Sequence, residues 1–128
     1  MSLSVHLPDQ ARGLTSYLAG LAAEEAVLRD YELRGCSLMA KRHRGCGGEI
    51  DLIVRDGHAV VFVEVKKSRS HALAAGHLSR QQQRRISLSA AEFLDSLPDA
   101  GLTYARFDVA LVDGMGRCEV LENAFGME

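Results

Sequence analysis

The chain has 128 residues, a formal net charge of −2 and an apolar fraction of 47%. That length suits a single domain spanning 1–128, and the near-neutral charge excludes a polycation that binds nucleic acid through its overall field. The N-terminus lacks the basic and apolar segments of a secretory signal, and no apolar run could span a bilayer. We therefore expect a cytoplasmic protein that does not contact membranes.

The first part of the chain is predicted to be helical. After a loose arm at about 1–8, leucines and alanines recur at helical spacing from 9 to 33, with an N-cap residue type at the start and Gly35 beyond the end. Gly13 and Gly20 leave open whether this segment is one helix or two short ones.

A first strand is predicted at 36–40. It is followed by the basic residues Lys41, Arg42 and Arg44 and by a glycine-rich loop at 45–48. A basic run beside a flexible loop can contact a phosphate backbone, although an ordinary solvated loop would have the same composition.

The three cysteines indicate neither a disulfide framework nor a zinc site. Cys36, Cys46 and Cys118 are odd in number and widely spaced, which favours reduced thiols. His43 lies between the first two, but structural zinc needs four ligands, usually in closely spaced pairs, and these residues do not supply them.

A β-hairpin is predicted in the middle of the chain. Two β-rich runs flank the Asp-Gly pair at 56–57, the strongest short-range hairpin signal. A two-residue turn at this pair would place Asp51 opposite Phe62, whereas a four-residue loop would pair Asp51 with Glu64. Because side chains on one face recur every second residue, Asp51, Glu64 and Lys66 point to the same face in both cases.

The charged residues at the end of this hairpin indicate a metal-binding or catalytic site. Residues 60–63 are apolar on both faces, as in a central strand, where charges are costly unless they are paired or bind metal. Two close carboxylates repel each other unless a cation neutralises them, and Mg²⁺ bound by Asp51 and Glu64 would activate a water for attack on a phosphoryl group. Lys66 could orient that water, or it could form a structural ion pair with one of the acids.

The second half of the chain predicts one helix and two strands. The basic residues Lys67 and Arg69 open a connection that leads to Ser79, a good N-cap for a helix with an apolar face that ends at Pro98. Arg80 and Arg84, in the first turns of this helix, could bind phosphates or form a solvated face of the helix.

Strands are then predicted at 103–112 and 117–121. For Arg106 and Asp108, on the first of them, a structural ion pair or a backbone-anchoring role is favoured over catalysis. Residues 123–125 should pack the C-terminal tail onto the core.

Asp51 followed by Glu64-Val65-Lys66 resembles the PD-(D/E)xK nuclease signature. More narrowly, the chain resembles the YraN-like (UPF0102) family of small bacterial proteins, which is similar in fold to Holliday-junction resolvases and restriction endonucleases. The matching pieces are Gly20-x-x-Ala23-Glu24, Gly48-Glu49-Ile50-Asp51-Leu52-Ile53, Phe62-Val63-Glu64-Val65-Lys66, Gln83-Arg84-Arg85, Arg106-Phe107-Asp108-Val109 and Asn123-Ala124-Phe125. The resemblance implies a restriction endonuclease-like α/β fold of three layers, with a central mixed sheet flanked by helices.

The resemblance also implies roles for two helical residues. Glu24 would lie near the hairpin acids, as an outer ligand or as a residue that positions a base; otherwise it is a solvated glutamate. Gln83 would reach the site from the second helix. The family commonly has a lysine at the position of Gln82, and its replacement by a neutral residue weakens the case that this lysine is required for catalysis.

Two hypotheses follow. The first is a Mg²⁺- or Mn²⁺-dependent nuclease acting on DNA, with branched DNA as one candidate substrate; Asp51 and Glu64 bind the metal, Lys66 assists the water, and Glu24 and Gln83 complete the site. A homodimer would suit a two-fold junction, which needs two sites. The second is a non-catalytic nucleic-acid-binding or DNA-maintenance interaction module on the same fold. The residues expected to contact DNA are Lys41, Arg42, Arg44, Lys67, Arg69, Arg80 and Arg84.

Overall fold

A computed structural model describes residues 9–67, 78–99 and 104–126. The elements run in the order α1 (Asp9–Leu33), β1 (Ser37–Gly45), β2 (Gly48–Asp56), β3 (Ala59–Lys67), α2 (Arg80–Asp95), β4 (Tyr104–Val112) and β5 (Cys118–Phe125). The predicted N-terminal arm and Arg69 lie outside the described residues. Within the described ranges, neither helix has the length and apolar character that crossing a membrane requires.

The five strands form one sheet in the order β1-β2-β3-β4-β5. Neighbouring strands are antiparallel except β3 and β4, which are parallel. Parallel neighbours need a crossover connection, and α2 lies in the segment that joins them.

One helix packs on each face of the sheet. Side chains of α1, among them Val27 and Tyr31, share a core with Val61 and Val63 of β3. On the other face, Ile86 and Ala90 of α2 pack with Val60 and Phe62 of the same strand. A helix covers each face of β3, which explains why the strand is apolar on both sides. The predicted three-layer α/β fold with a mixed central sheet is confirmed.

Helix α1 is a single helix that passes through Gly13 and Gly20 without a break. As predicted, Gly35 lies just beyond the end of the helix, and its φ of 91° suits glycine. The N–H of Cys36 donates to the Tyr31 carbonyl and the N–H of Gly35 donates to the Glu32 carbonyl, both at 3.0 Å. This pair of bonds is the Schellman arrangement that satisfies the last carbonyls of a helix.

Strand β1 is longer than the sequence predicts. The basic residues 41–44, expected beyond the end of this strand, lie within it, and pairing with β2 continues to Gly45 and Gly48. The flexible loop expected at 45–48 is therefore reduced to a turn. Only Cys46 and Gly47 form the turn, which packs against α2: a Cβ at Gly47 would overlap the Arg85 carbonyl oxygen. Packing against the helix keeps this turn tight, which composition alone could not indicate.

The β2–β3 register is the one that the longer predicted loop implies. Asp56 pairs with Ala59, so Gly57 and His58 form the turn, and the last main-chain pair is Leu52 with Val63. The alternative with Asp56 and Gly57 as the turn was wrong. Extending the observed register by one step places Asp51 opposite Glu64.

The C-terminal strands confirm the structural role expected for Arg106 and Asp108. Asp108 is fully buried, and its Oδ1 accepts hydrogen bonds from Arg106 Nε at 2.9 Å and from the Asn123 N–H at 3.0 Å. Strand β5 extends beyond its predicted end to Phe125, whose ring stacks on Phe107 with centroids 4.8 Å apart. The tail therefore packs onto the core as expected.

Candidate carboxylate site

Strands β2 and β3 separate at the position of the two hairpin acids. Beyond the last pair, Leu52 with Val63, the Val65 N–H donates to Asp51 Oδ2 at 2.8 Å. A carboxylate thus takes the place of a carbonyl as the acceptor for β3. This bond fixes the Asp51 side chain at the point where the strands separate.

The alternation of side chains along β2 is interrupted at Asp51. Ile50 belongs to the core under α2, whereas Leu52, two residues later, belongs to the core under α1. The flanking pairs place Arg42 of β1 opposite Asp51, and Arg42 has a left-handed backbone with φ 49°. That conformation costs a non-glycine residue roughly 1–2 kcal/mol.

Two cavities meet around these acids. A cleft of about 440 Å³ on the α1 side is lined by Asp51 and Lys66, and a smaller cavity of about 160 Å³ on the α2 side is lined by Glu64. Glu49 lines both. The expectation that all three hairpin residues point to one face is therefore only partly met, because the sheet opens where β2 and β3 separate.

Asp51 and Glu64 nevertheless interact electrostatically. Burial raises the pKa of Glu64 to about 8, and the charge of Asp51 adds to the rise, while Lys66 opposes it. Burial also raises the pKa of Asp51, against the Val65 N–H, which lowers it. Glu64 Oε1 is buried without a hydrogen-bond partner in the described structure. Ionising both carboxyls together is therefore unfavourable unless a cation compensates their charge.

Lys66 supplies positive charge without a direct pair. Its charge lowers the pKa of both Asp51 and Glu64, but among the described residues no salt bridge joins it to either acid. The structural ion pair that was the alternative role of Lys66 is thus not formed.

Glu24 lines the α1-side cleft but is engaged by Arg42. Arg42 Nε lies 3.2 Å from both carboxylate oxygens of Glu24, and Arg42 Nη2 lies 2.8 Å from Oε2. Glu24 thus lies in the cleft beside Asp51, and its partner Arg42 was not predicted, because no sequence pattern marks a strand residue with a left-handed backbone.

On α2 the structure separates two neighbouring glutamines. Gln83 lines neither cavity, and its side-chain amide donates to the Leu78 carbonyl at 3.2 Å. Gln82 lines the cavity beside Glu64 together with Arg85, and it forms a capping box with Ser79. The Ser79-x-x-Gln82 spacing could have indicated the capping box from sequence.

The basic residues expected to contact DNA fall into two groups. Those of β1 are paired with acids: Lys41 with Glu25, Arg42 with Glu24, and Arg44 with Glu49 at 3.8 Å. In contrast, Lys67, Arg80 and Arg84 are exposed and form no salt bridge with any described residue. The uncompensated positive charge among these candidates therefore lies at the end of β3 and along α2.

The residues present fit a hard divalent cation. Mg²⁺ is commonly held by one or two carboxylates and keeps several waters, and Asp51 and Glu64 supply that number, one of them with an unpartnered oxygen. Over residues 9–67, 78–99 and 104–126, no group of three or more His, Cys, Asp or Glu side chains is arranged to hold a metal ion. Among the described residues, Asp51 and Glu64 are therefore the carboxylates that could hold an ion here.

Fold and site together define a three-layer α/β protein with a partly buried pair of carboxylates where two central strands separate. Residues 23–112 match the family described as "Uncharacterised protein family UPF0102". The chain is 60% identical over 116 residues to a UPF0102 protein of Ruegeria pomeroyi, covering 91% of this chain and 94% of that relative. It is 59% identical over 113 residues to one from Cereibacter sphaeroides, covering 88% and 97%. The chain belongs to the UPF0102 family, as its motifs predict.

Proposed function

We propose that the protein is a Mg²⁺- or Mn²⁺-dependent nuclease that hydrolyses phosphodiester bonds in DNA. One observation carries the proposal: Asp51 and Glu64 lie at the point where β2 and β3 separate, partly buried, with Glu64 Oε1 unpartnered among the described residues. A cation would compensate the charge of such a pair when both carboxyls are ionised. The order Asp51, then Glu64-x-Lys66, is the one that the PD-(D/E)xK resemblance leads us to expect.

Each residue has a role in this proposal. Asp51 and Glu64 hold the ion, which when bound activates water and stabilises charge on a phosphoryl group. The Val65 N–H orients Asp51 by occupying one of its oxygens. Lys66, near both acids and without a salt bridge to described residues, donates to the attacking water or to the phosphate in the transition state.

The surroundings of the site suit an extended anionic substrate. The cleft beside Asp51 is open and has Lys66 and Lys67 in its lining. Arg80 and Arg84 are exposed on α2, which covers the other face of the sheet. Phosphate contacts from such residues position a nucleic acid without reading its sequence. We extend the proposal to branched DNA and to a homodimer, in which two sites would act on a symmetric junction.

The test is cleavage of labelled linear, flap and four-way-junction DNA with Mg²⁺ or Mn²⁺. Asp51→Asn and Lys66→Ala should each reduce cleavage by at least roughly 100-fold, because each removes a group that acts on the transition state. Asp95→Asn, an exposed carboxylate at the end of α2, is the matched control and should cut as the wild type does.

A different result would favour the second function. If the wild type binds DNA and never cuts it, and the two variants bind as tightly, the carboxylates have no catalytic role. The protein would then be a non-catalytic nucleic-acid-binding module on this fold.

A further inference from the structure

Arg42 combines a costly backbone with a precise contact. Its φ of 49° lies in the left-handed region within a β-strand, and the pairs on either side place it opposite Asp51. Residues held in such conformations persist only where the surroundings enforce them, and they cluster at functional sites.

The conformation of Arg42 brings a guanidinium onto the Glu24 carboxylate. Nε lies 3.2 Å from both oxygens of Glu24 and Nη2 lies 2.8 Å from Oε2. The Glu24 side chain is only 13% exposed. A planar guanidinium that contacts both oxygens of a carboxylate fixes its orientation as well as its charge.

The carboxylate held in this way lies at the candidate metal site. Glu24 and Arg42 line the same cleft as Asp51 and Lys66, and the Glu24 charge is felt by the Asp51 carboxyl. Even so, the described residues form no cluster of three acids able to hold a metal. Glu24 is thus close to Asp51, one of the two proposed ligands, but its oxygens face the guanidinium.

We propose that Arg42 is a positioning residue that holds Glu24 on the wall of the cleft and keeps it from becoming a third ligand of the cation at Asp51 and Glu64. The inference rests on the proposed metal site. Its consequence is a weakly held ion with more coordination positions open to water and substrate, since affinity rises with the number of charged ligands. Releasing Glu24 should therefore tighten metal binding.

The chain contains a matched control for this pair. Lys41 and Glu25 form the same kind of bridge between β1 and α1, one residue further along the helix and one residue earlier along the strand. Neither residue lines the cleft of Asp51 or the cavity of Glu64. Lys41→Gln removes one positive charge, as Arg42→Gln does, without releasing a carboxylate into the site.

The experiment is titration with Mn²⁺, with the free ion measured by electron paramagnetic resonance. Arg42→Gln should bind Mn²⁺ roughly tenfold more tightly than the wild type, because the released Glu24 carboxylate adds a charged ligand. The double variant Arg42→Gln with Glu24→Gln should return to the wild-type affinity, and Lys41→Gln should keep it. Arg42→Gly should match Arg42→Gln, because glycine adopts a positive φ without strain and preserves the fold.

Three outcomes would overturn the inference. Arg42→Gln and Arg42→Gly could bind Mn²⁺ no more tightly than the wild type, which would leave the proposed metal site intact. Lys41→Gln, or the double variant, could show the same gain as Arg42→Gln, which would assign the gain to lost positive charge alone. If neither the wild type nor Arg42→Gln bound Mn²⁺, the proposed metal site itself would fail, and the inference with it.

Discussion

The Tyr31 hydroxyl donates a 2.7 Å hydrogen bond to Asp108, a carboxylate with no exposed surface that lies 77 residues further along the chain. The bond ties the end of α1 to the centre of β4. Asp108 also accepts from Arg106 and from the Asn123 N–H, so this one side chain joins α1, β4 and β5. A buried carboxylate with this many donors contributes to stability only while the set is complete.

Tyr31→Phe should lower the free energy of unfolding by roughly 1.5–3 kcal/mol, the usual range for a hydrogen bond to a charged group. Unfolding in urea, followed by circular dichroism, measures the loss. Tyr104→Phe removes a hydroxyl from a side chain that is 73% exposed and should change little. Equal losses in the two variants would contradict the structural role of the Tyr31 bond.

Glu64→Gln should stabilise the metal-free protein at high pH and not at low pH. Burial raises the pKa of Glu64 from its usual 4.5 to about 8, so the folded state binds this proton more tightly than the unfolded state. The stabilisation from the bound proton is complete below about pH 4.5 and is lost as the pH rises to about 8. The glutamine variant does not lose it, and the gain should reach roughly 2–4 kcal/mol.

Urea unfolding in the presence of a chelator at pH 4.5 and pH 8.5 measures this difference. Glu32→Gln, an exposed glutamate of α1, is the control and should show no such dependence. A Glu64→Gln variant that is equally stable relative to wild type at both values would mean that Glu64 is not held in an unfavourable charged state.

Adding Mg²⁺ should raise the melting temperature of the wild-type protein at pH 8. An ion that binds only the folded state stabilises it by about 2.7 kcal/mol at a hundredfold excess over its dissociation constant. Asp51→Asn and Glu64→Gln each remove a proposed ligand and should lose most of this increase. Sodium chloride at equal ionic strength controls for screening, and an undiminished increase in both variants would place the ion elsewhere.

Gly47→Ala should destabilise the fold by roughly 1–3 kcal/mol, the range for overpacking. The added Cβ would overlap the Arg85 carbonyl oxygen and lie 2.9 Å from the Leu88 Cβ, so α2 would have to move. Gly114→Ala is the control, because nothing lies within 4 Å of its Cβ position. Thermal unfolding compares the two variants. A Gly47→Ala variant as stable as the wild type would show that α2 can shift away from the turn without a loss of stability.

Sequence reasoning succeeded where the signal is local. The Asp-Gly pair predicted the hairpin, and Gly35 and Ser79 marked helix ends. It failed where packing overrides local preference. The first strand was predicted to end at residue 40, but pairing with β2 continues it through the basic residues to Gly45.

The remaining differences arise at the opening of the sheet. Alternation assumes an undistorted strand, and the left-handed backbone of Arg42 and the side-chain bond of Asp51 break that assumption. Glu64 therefore lines the cavity opposite to the one that Asp51 lines. Likewise, the resemblance implied that Gln83 reaches the site, and only the docking of α2 shows that Gln82 is the one that borders Glu64.

The position of the Gly57–His58 turn has a practical consequence. Both residues are exposed, and the turn closes the hairpin at the end away from Asp51 and Glu64. Exposed turns of this kind tolerate inserted sequence. A fluorophore or an affinity tag placed there would report on the protein, or immobilise it, while the carboxylates keep their surroundings.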